Sequence, residues 1–334
     1  MWHIGIDLHR EFVVMAAVND AGEVMDPVRI ACRETQALLD AVRALGAFRA
    51  VIEASGTYRW LYDLLRPHGV VLLAHPLRLR AMIQRRSKTD KLDAQLLANL
   101  LRINQIPLAY IPPQPYQQLR ELTRCRARLG RDQAEVKIKL RALLARQNRE
   151  APFRVPFGPR GLAWFGQQDF GPIENLIRDE LLARLSHYRR QLTILDEQIA
   201  RTGGDFPQVQ AITDIHGIGL FSALLVVAEL GEVERFRTAK QVGAYAGLTA
   251  RVHQSGSHCY RGSITRQGSP WLRWILVEAA MKAIHKDAAL KNFYTRVRKR
   301  SSAKIARVAV ARKLAEICWK RLRRWEREHA RQAA

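Results

Sequence analysis

Four carboxylates, Asp7, Glu53, Asp90 and Asp93, are spaced as a metal-dependent phosphodiester chemistry needs them. Asp7 ends the apolar run Trp2-His3-Ile4-Gly5-Ile6, and Glu53 ends Ala50-Val51-Ile52, so each closes a short strand. Asp90 and Asp93 stand three residues apart at the start of an apolar-periodic stretch, where a helix puts both on one face. Carboxylates crowded into a partly dry site repel one another strongly. A bound cation relieves that repulsion, and an all-oxygen donor set favours Mg2+ or Mn2+. Two such ions between four carboxylates fit phosphodiester cleavage. Asp90 also stands where a residue capping the helix up to Arg102 would stand, and the two roles are compatible.

The elements that must hold these groups follow from the flanking pattern. Ile4 and Ile6 lie in a first strand and Phe12 to Val18 form a second. Asn19-Asp20-Ala21-Gly22 then turns the chain into a third strand, Glu23 to Ile30. A helix pattern covers Thr35 to Leu45. A strand at 49–53, a short helix at 58–66, a strand from Val70 to Ala74 and helices beyond Pro76 follow. The order is βββαβαβα, with carboxylates on the first strand, the fourth strand and the last helix. That is the ribonuclease H order. A doubly wound nucleotide-binding fold wants a glycine-rich loop after its first strand, where this chain has Leu8-His9-Arg10-Glu11.

Composition narrows the partner. A formal net charge of +24 on 334 residues predicts a polyanion, either nucleic acid or an anionic membrane. Lys and Arg interrupt every long apolar run, so no membrane span is expected. Asp7, His9, Arg10 and Glu11 break the start before a signal peptide can form. Cys32, Cys125, Cys259 and Cys318 lie far apart without a CxxC pair. They point away from structural zinc or a disulfide framework and fit a reducing cytoplasm. His253, His258 and Cys259 do not match a zinc spacing either.

From Pro115 the character changes. Leu119, Leu122, Leu129, Val136, Leu140 and Leu143 follow three- and four-residue steps, with Arg126 and Gln133 at the two missing rungs. Leu181, Leu185, Tyr188, Leu192, Leu195 and Ile199 make a second such run beyond a connector at 151–172. The pair predicts an antiparallel coiled-coil hairpin or dimerisation arm, or else an ordinary helical bundle core. Near Phe206 a third region begins. Ile215-His216-Gly217-Ile218-Gly219 opens the apolar helix Phe221 to Leu230, either as a helix-hairpin-helix presenting backbone N–H groups to phosphate or as a plain αα-corner. A small-residue helix follows at Gln241 to Leu248. Thr249 to Pro270 is a polar stretch rich in Ser, Gly and Arg, followed by a helix from Trp271 to Ile284. The C-terminal segment, dense in Lys and Arg with apolar residues between, reads as an amphipathic basic helix on nucleic acid or as a solvated helix face.

Taken in order, several motifs resemble the DEDD transposases of insertion-sequence family one-ten, relatives of the Piv/MooV-type DNA invertases. They are Gly5-Ile6-Asp7-Leu8-His9, then Glu53-Ala54-Ser55-Gly56-Thr57-Tyr58, then Lys88-Thr89-Asp90-Lys91-Leu92-Asp93-Ala94. His216-Gly217-Ile218-Gly219, Gly247-Leu248, Ser255-Gly256, Gly262-x-Ile264-x-Arg266-x-Gly268 and Leu272-Arg273 continue the resemblance. It covers nearly the whole chain and is thin only across 150–205.

The resemblance implies an α/β plus α architecture in three domains. These are a RuvC-like, ribonuclease H-like mixed sheet over 1–112, a helical coiled-coil arm over 113–205 and a mostly helical C-terminal transposase domain over 206–334. It implies a bacterial, nucleoid-associated transposase or recombinase. Asp7, Glu53, Asp90 and Asp93 would bind Mg2+ (or Mn2+), and Ser255 would be the nucleophile that forms a 5′-phosphoserine intermediate. Lys88, Arg251, Arg261, Arg266 and Arg273 become the expected nucleic-acid contacts. The implied partners are donor and target DNA, a structured non-coding bridge RNA that pairs with both, and further copies of the chain, as a homodimer or dimer of dimers. Where the family continues the serine as Gly-Gly-Lys, this chain has Gly256-Ser257-His258, and Ala250 stands in place of an expected proline. Ser257 is therefore a second candidate nucleophile. The alternative functions are a site-specific invertase, a junction-resolving nuclease that hydrolyses without Ser255, and a nucleic-acid-binding protein whose site has decayed. The presence of all four carboxylates speaks against the last.

Overall fold

A computed structural model describes residues 1–82, 89–255 and 258–333. Its contacts divide the chain into two compact units, Met1–Ile111 and Pro112–Ala334.

The first unit is built on five strands: β1 (Trp2–Leu8), β2 (Phe12–Asn19), β3 (Val24–Ala31), β4 (Phe48–Glu53) and β5 (Val70–Ala74). They lie in the order β3-β2-β1-β4-β5. The first three form an antiparallel meander, while β1, β4 and β5 run parallel. The helices are α1 (Thr35–Arg43), α2 (Arg59–Leu65), α3 (Pro76–Met82) and α4 (Asp90–Arg102). Alternation sorts the strand residues onto two faces. Ile4, Ile6, Val13, Met15, Ala50 and Ile52 pack with Leu38 and Val42 of α1 and Leu61 and Leu65 of α2. Val14, Val51 and Ala74 face the other way, toward Ala94, Leu97 and Leu101 of α4 and Leu79 of α3. The element order is the one the apolar pattern predicts.

Gly5 decides how closely α4 approaches. A Cβ there would lie 2.0 Å from the Ala94 carbonyl oxygen and 2.4 Å from the Ala98 amide nitrogen. The helix backbone therefore rests directly on the strand backbone. Leu97 and Leu101, both buried, anchor the helix, each contributing roughly 1.5–3 kcal/mol. Thr89 caps α4, its hydroxyl accepting from the Leu92 N–H at 3.3 Å.

In the second unit, α5 (Gln114–Arg146) and α7 (Pro172–Thr202) form a helical hairpin with α6 (Pro159–Gln167) near its tip. They run antiparallel. Arg126 of α5 donates to both carboxylate oxygens of Asp196 on α7 at 2.8 and 3.1 Å. Toward the tip, Leu140 and Leu143 share a core with Leu181, Leu185 and Phe165. The expected seam is modified toward the base. Thr123 and Ala127 are buried there, whereas Leu122 and Leu129 are half-buried. The small side chains suit α5 to the base core it shares with α9 (Leu220–Leu230).

That core also takes in α8 (Gln210–Thr213), α10 (Ala239–Tyr245), α11 (Pro270–Lys286), α12 (Ala288–Arg300) and α13 (Ala303–Ala333). On α13, Ala306, Val310, Leu314, Cys318 and Leu322 are buried at four-residue steps, and Lys320, Arg321 and Arg324 are exposed. The basic helix is thus amphipathic, as its pattern predicts. A buried ion pair ties the arm to this core. Arg124 of α5 donates to both oxygens of Glu229 at 2.6 and 2.9 Å, and Glu229 is 1% exposed. Ser269, the N-cap of α11, donates to the same carboxylate at 2.8 Å. Arg120 caps the end of α9 through the carbonyls of Ala228 and Glu229. Among the described residues, no helix is long and apolar enough to cross a membrane.

The stretch Thr249 to Pro270, read from sequence as merely polar, contains a two-stranded antiparallel ribbon, β6 (Ala250–Ser255) and β7 (His258–Ile264). Most of its side chains are exposed, so it carries no apolar alternation for the eye to find.

One carboxylate in this unit carries a pH signature. Burial raises the Glu326 carboxyl to about 7, Glu234 and Glu232 push it the same way, and a bond from the Val233 backbone opposes them. An unfolded glutamate titrates near 4.3. The folded chain therefore holds a proton that the unfolded chain releases, and this contribution is lost as pH rises toward 7. Glu326→Gln is expected to melt above the parent chain at pH 8, by about 1–2 kcal/mol once partial exposure is discounted, and with it at pH 4. Equal melting temperatures at pH 8 would rule this out.

Candidate active site

Asp7 and Glu53 are brought together by strand pairing. β1 and β4 run parallel with Ile6 opposite Ile52, so the next residue on each strand is a carboxylate. Both stand on the face that carries α4, because Gly5 and Val51 two residues earlier pack against it. Asp90 and Asp93 occupy the first turn of α4, where the free N–H groups and the helix dipole favour negative charge. The spacing of Asp90 and Asp93 and the strand-end positions of the other two therefore converge on one end of the sheet.

The tightest grouping includes a residue that sequence reasoning left out. His9 Nε2 lies 3.1 Å from Asp7 Oδ2 and 3.3 Å from Asp90 Oδ1. One ligand atom from each of Asp7, His9 and Asp90 falls within 4.8 Å of the others. Two carboxylate oxygens and an imidazole nitrogen so placed fit a divalent first-row cation. Asp93 is near enough to act on Asp7 through its charge, and Glu53 ends the neighbouring parallel strand. Burial lifts the Asp7 carboxyl above its usual range; His9 opposes the shift, and Asp90 and Asp93 reinforce it. The signal for His9 was present in the chain, a nitrogen ligand two residues beyond the first carboxylate.

Ser255 is the last residue of β6, exposed, and paired directly across the ribbon with His258. Ser257 and Lys88 lie outside the described residues, as does the side chain of Arg261. Arg251 is exposed on β6. Arg266 and Arg273 meet at the root of the ribbon. Arg273 donates to the Ala246 carbonyl at 3.1 Å, and burial, then Arg266, lowers its pKa. Arg266 has a left-handed backbone, φ 54°. Gly268 closes the root, where a Cβ would meet the Tyr245 carbonyl oxygen at 1.9 Å. The His216-Gly217-Ile218-Gly219 turn leads into α9 beside a cleft of about 290 Å³ that Lys282 also lines.

Comparison with known proteins matches stretches of both units. Residues 4–148 match the sequence profile of the IS110-type DEDD transposases, and residues 209–295 match that of the transposase IS116/IS110/IS902 family. A probable family 20 transposase of Pseudomonas aeruginosa is 27% identical, aligned over 96% of each chain. The transposase for insertion sequence element IS1111A of Coxiella burnetii is 24% identical over 97% of this chain and 90% of its own. A pilin gene-inverting protein of Moraxella bovis is 26% identical over 80% of this chain and 78% of its own. With both units matched and transposases aligning along nearly its full length, the chain belongs to the IS110 family of transposases, enzymes that cleave and rejoin DNA.

Proposed function

We propose that the chain is the RNA-guided transposase of a bacterial insertion sequence. Asp7, Glu53, Asp90 and Asp93 hold a divalent ion, Mg2+ or Mn2+, and Ser255 is the nucleophile. The observation that carries this reading is the convergence of Asp7, on β1, and Asp90, on α4, at one end of the sheet. The strand order β3-β2-β1-β4-β5, that of a ribonuclease H-like nuclease, supports it. A bound ion supplies Lewis-acid stabilisation of the charge that builds on the phosphate. Ser255 Oγ attacks the phosphorus, the bond to the 3′ oxygen breaks, and that oxygen leaves as a hydroxyl. The bond energy stays in a 5′-phosphoserine linkage, so a 3′-hydroxyl can attack it and rejoin the strands.

The net charge of +24 supports a structured bridge RNA as well as donor and target DNA, because each neutralised phosphate adds affinity. Arg251, Arg261, Arg266, Arg273 and Lys88 hold backbone phosphates, while base pairing with the RNA selects the site. A dimer or dimer of dimers brings two duplexes together and shares each site between protomers.

The likeness to a pilin gene-inverting protein favours a second reading, site-specific inversion by the same chemistry. Purified protein with its RNA and end-labelled donor and target DNA tests the mechanism. A covalent protein–DNA adduct is expected in the parent chain and in Ser257→Ala and absent in Ser255→Ala, while Asp7→Asn lowers cleavage at least about 1,000-fold. Cutting without a covalent adduct in Ser255→Ala would identify a hydrolytic nuclease instead, and an adduct lost only in Ser257→Ala would move the nucleophile to Ser257.

A further inference from the structure

We propose that His9 is itself a metal ligand, making the site of this chain a mixed nitrogen–oxygen one. The inference rests on the reading that Asp7 and Asp90 hold a divalent ion, and it adds a third donor to them. The separations carry it. Ligands at right angles around an ion with bonds of about 2.1 Å stand about 3 Å apart. His9 Nε2 is 3.1 Å from one carboxylate oxygen and 3.3 Å from the other. The Asp7 contact also has hydrogen-bond geometry, but that leaves the Asp90 contact without an explanation. Nε2 carries at most one hydrogen, which cannot point well at both acceptors. An ion at the common centre satisfies all three atoms together.

The ring is also held independently of the carboxylates. It stacks on Phe12 with centroids 4.5 Å apart and planes 27° from parallel. The His9 backbone N–H donates to the Phe12 backbone carbonyl at 3.0 Å, and the His9 backbone carbonyl accepts from Cys32 Sγ at 3.6 Å. The guanidinium of Arg29 sits 3.6 Å from the Phe12 ring centroid and steadies the other partner of the stack. A ring fixed in this way is a preorganised ligand.

The consequence is a metal preference. Mg2+ and Mn2+ are both suited by oxygen donors and imidazole suits the later first-row ions, but Mn2+ begins that first-row series and gains more from an added imidazole than Mg2+ does. His9→Gln is expected to weaken Mn2+ binding about tenfold or more while leaving Mg2+ affinity within about threefold.

Electron spin-echo spectroscopy of Mn2+ bound to the full chain reads the ligand directly. The parent chain is expected to show 14N modulation, which changes to the 15N pattern when the chain is grown with 15N-histidine and disappears in His9→Gln with Mn2+ still bound. Asp7→Asn is the control for the underlying reading. If Asp7→Asn binds Mn2+ as the parent does, the carboxylate site is not the metal site and both readings fall. If binding depends on Asp7 but the parent shows no 14N modulation, or His9→Gln keeps it, the carboxylates hold the ion without His9 and this inference alone is overturned. Because the 15N measurement uses the unaltered chain, a missing histidine signal overturns the inference even if His9→Gln folds poorly, and loss of the signal in a second variant, His9→Asn, assigns it to His9 rather than to another of the ten histidines.

Discussion

Gly5→Ala is expected to lower strand cleavage at least about 100-fold and to weaken divalent-metal binding in parallel, in a chain that still folds. A single methyl group would produce this. The new Cβ would stand 2.0 Å from the Ala94 carbonyl oxygen and 2.4 Å from the Ala98 nitrogen. Both are backbone atoms, so trimming a neighbouring side chain relieves nothing, and α4 must move away from β1. Asp90 and Asp93 ride on the first turn of that helix and move with it, while Asp7 stays with the sheet. A displacement near 1 Å is enough to cost about two orders of magnitude in rate. Overpacking of this kind costs about 1–3 kcal/mol, so the melting temperature falls by a few degrees. The checks are metal titration followed by thermal shift and cleavage of labelled DNA. Parental metal affinity and cleavage in Gly5→Ala would show that α4 is not seated as described.

The largest loss of stability is expected from Arg124→Met, about 3–5 kcal/mol in urea or thermal unfolding. Glu229 is 1% exposed, and Arg124 supplies two of the hydrogen bonds to its carboxylate. Removing the arginine leaves a buried carboxylate with the Ser269 hydroxyl. Glu229→Gln keeps a polar group of the same shape and is expected to cost less, about 1–3 kcal/mol. Arg124→Met combined with Glu229→Leu recovers most of the loss, because an apolar pair carries no desolvation penalty there. A cost below about 1 kcal/mol for Arg124→Met would mean that the pair does not anchor the arm.

Much of the first unit was legible because its strands are half-buried and alternate. Ile4 and Ile6 point to one core and Gly5 to the other face, so the strand and the position of Asp7 at its end both follow. The three-residue spacing of Asp90 and Asp93 needs only helix geometry. Other features were hidden for physical reasons. Gly5 is silent in a hydrophobicity pattern, since its function is the absence of a side chain. His9 belongs to the trio through the tight return from β1 to β2, and its approach to Asp90 is a tertiary fact. The ribbon of β6 and β7 was missed because exposed strands have no buried face to mark with apolar residues. On α5, Thr123 and Ala127 replace the expected leucine rungs where helices come close, which sequence spacing alone does not reveal.

The pairing of Arg126 with Asp196 has a consequence for the mechanics of the arm. Leucine rungs are interchangeable, and a seam made only of them tolerates sliding by whole heptads, about 10 Å at a time. A slip of one heptad would set Arg126 against Arg189 in one direction and against Gly203, beyond the end of α7, in the other. The first alternative opposes like charges, and the second leaves the guanidinium without a carboxylate. The ion pair thus works as a detent. It keeps the two helices at a single setting, so the arm behaves as a strut of fixed length between its base core and its tip.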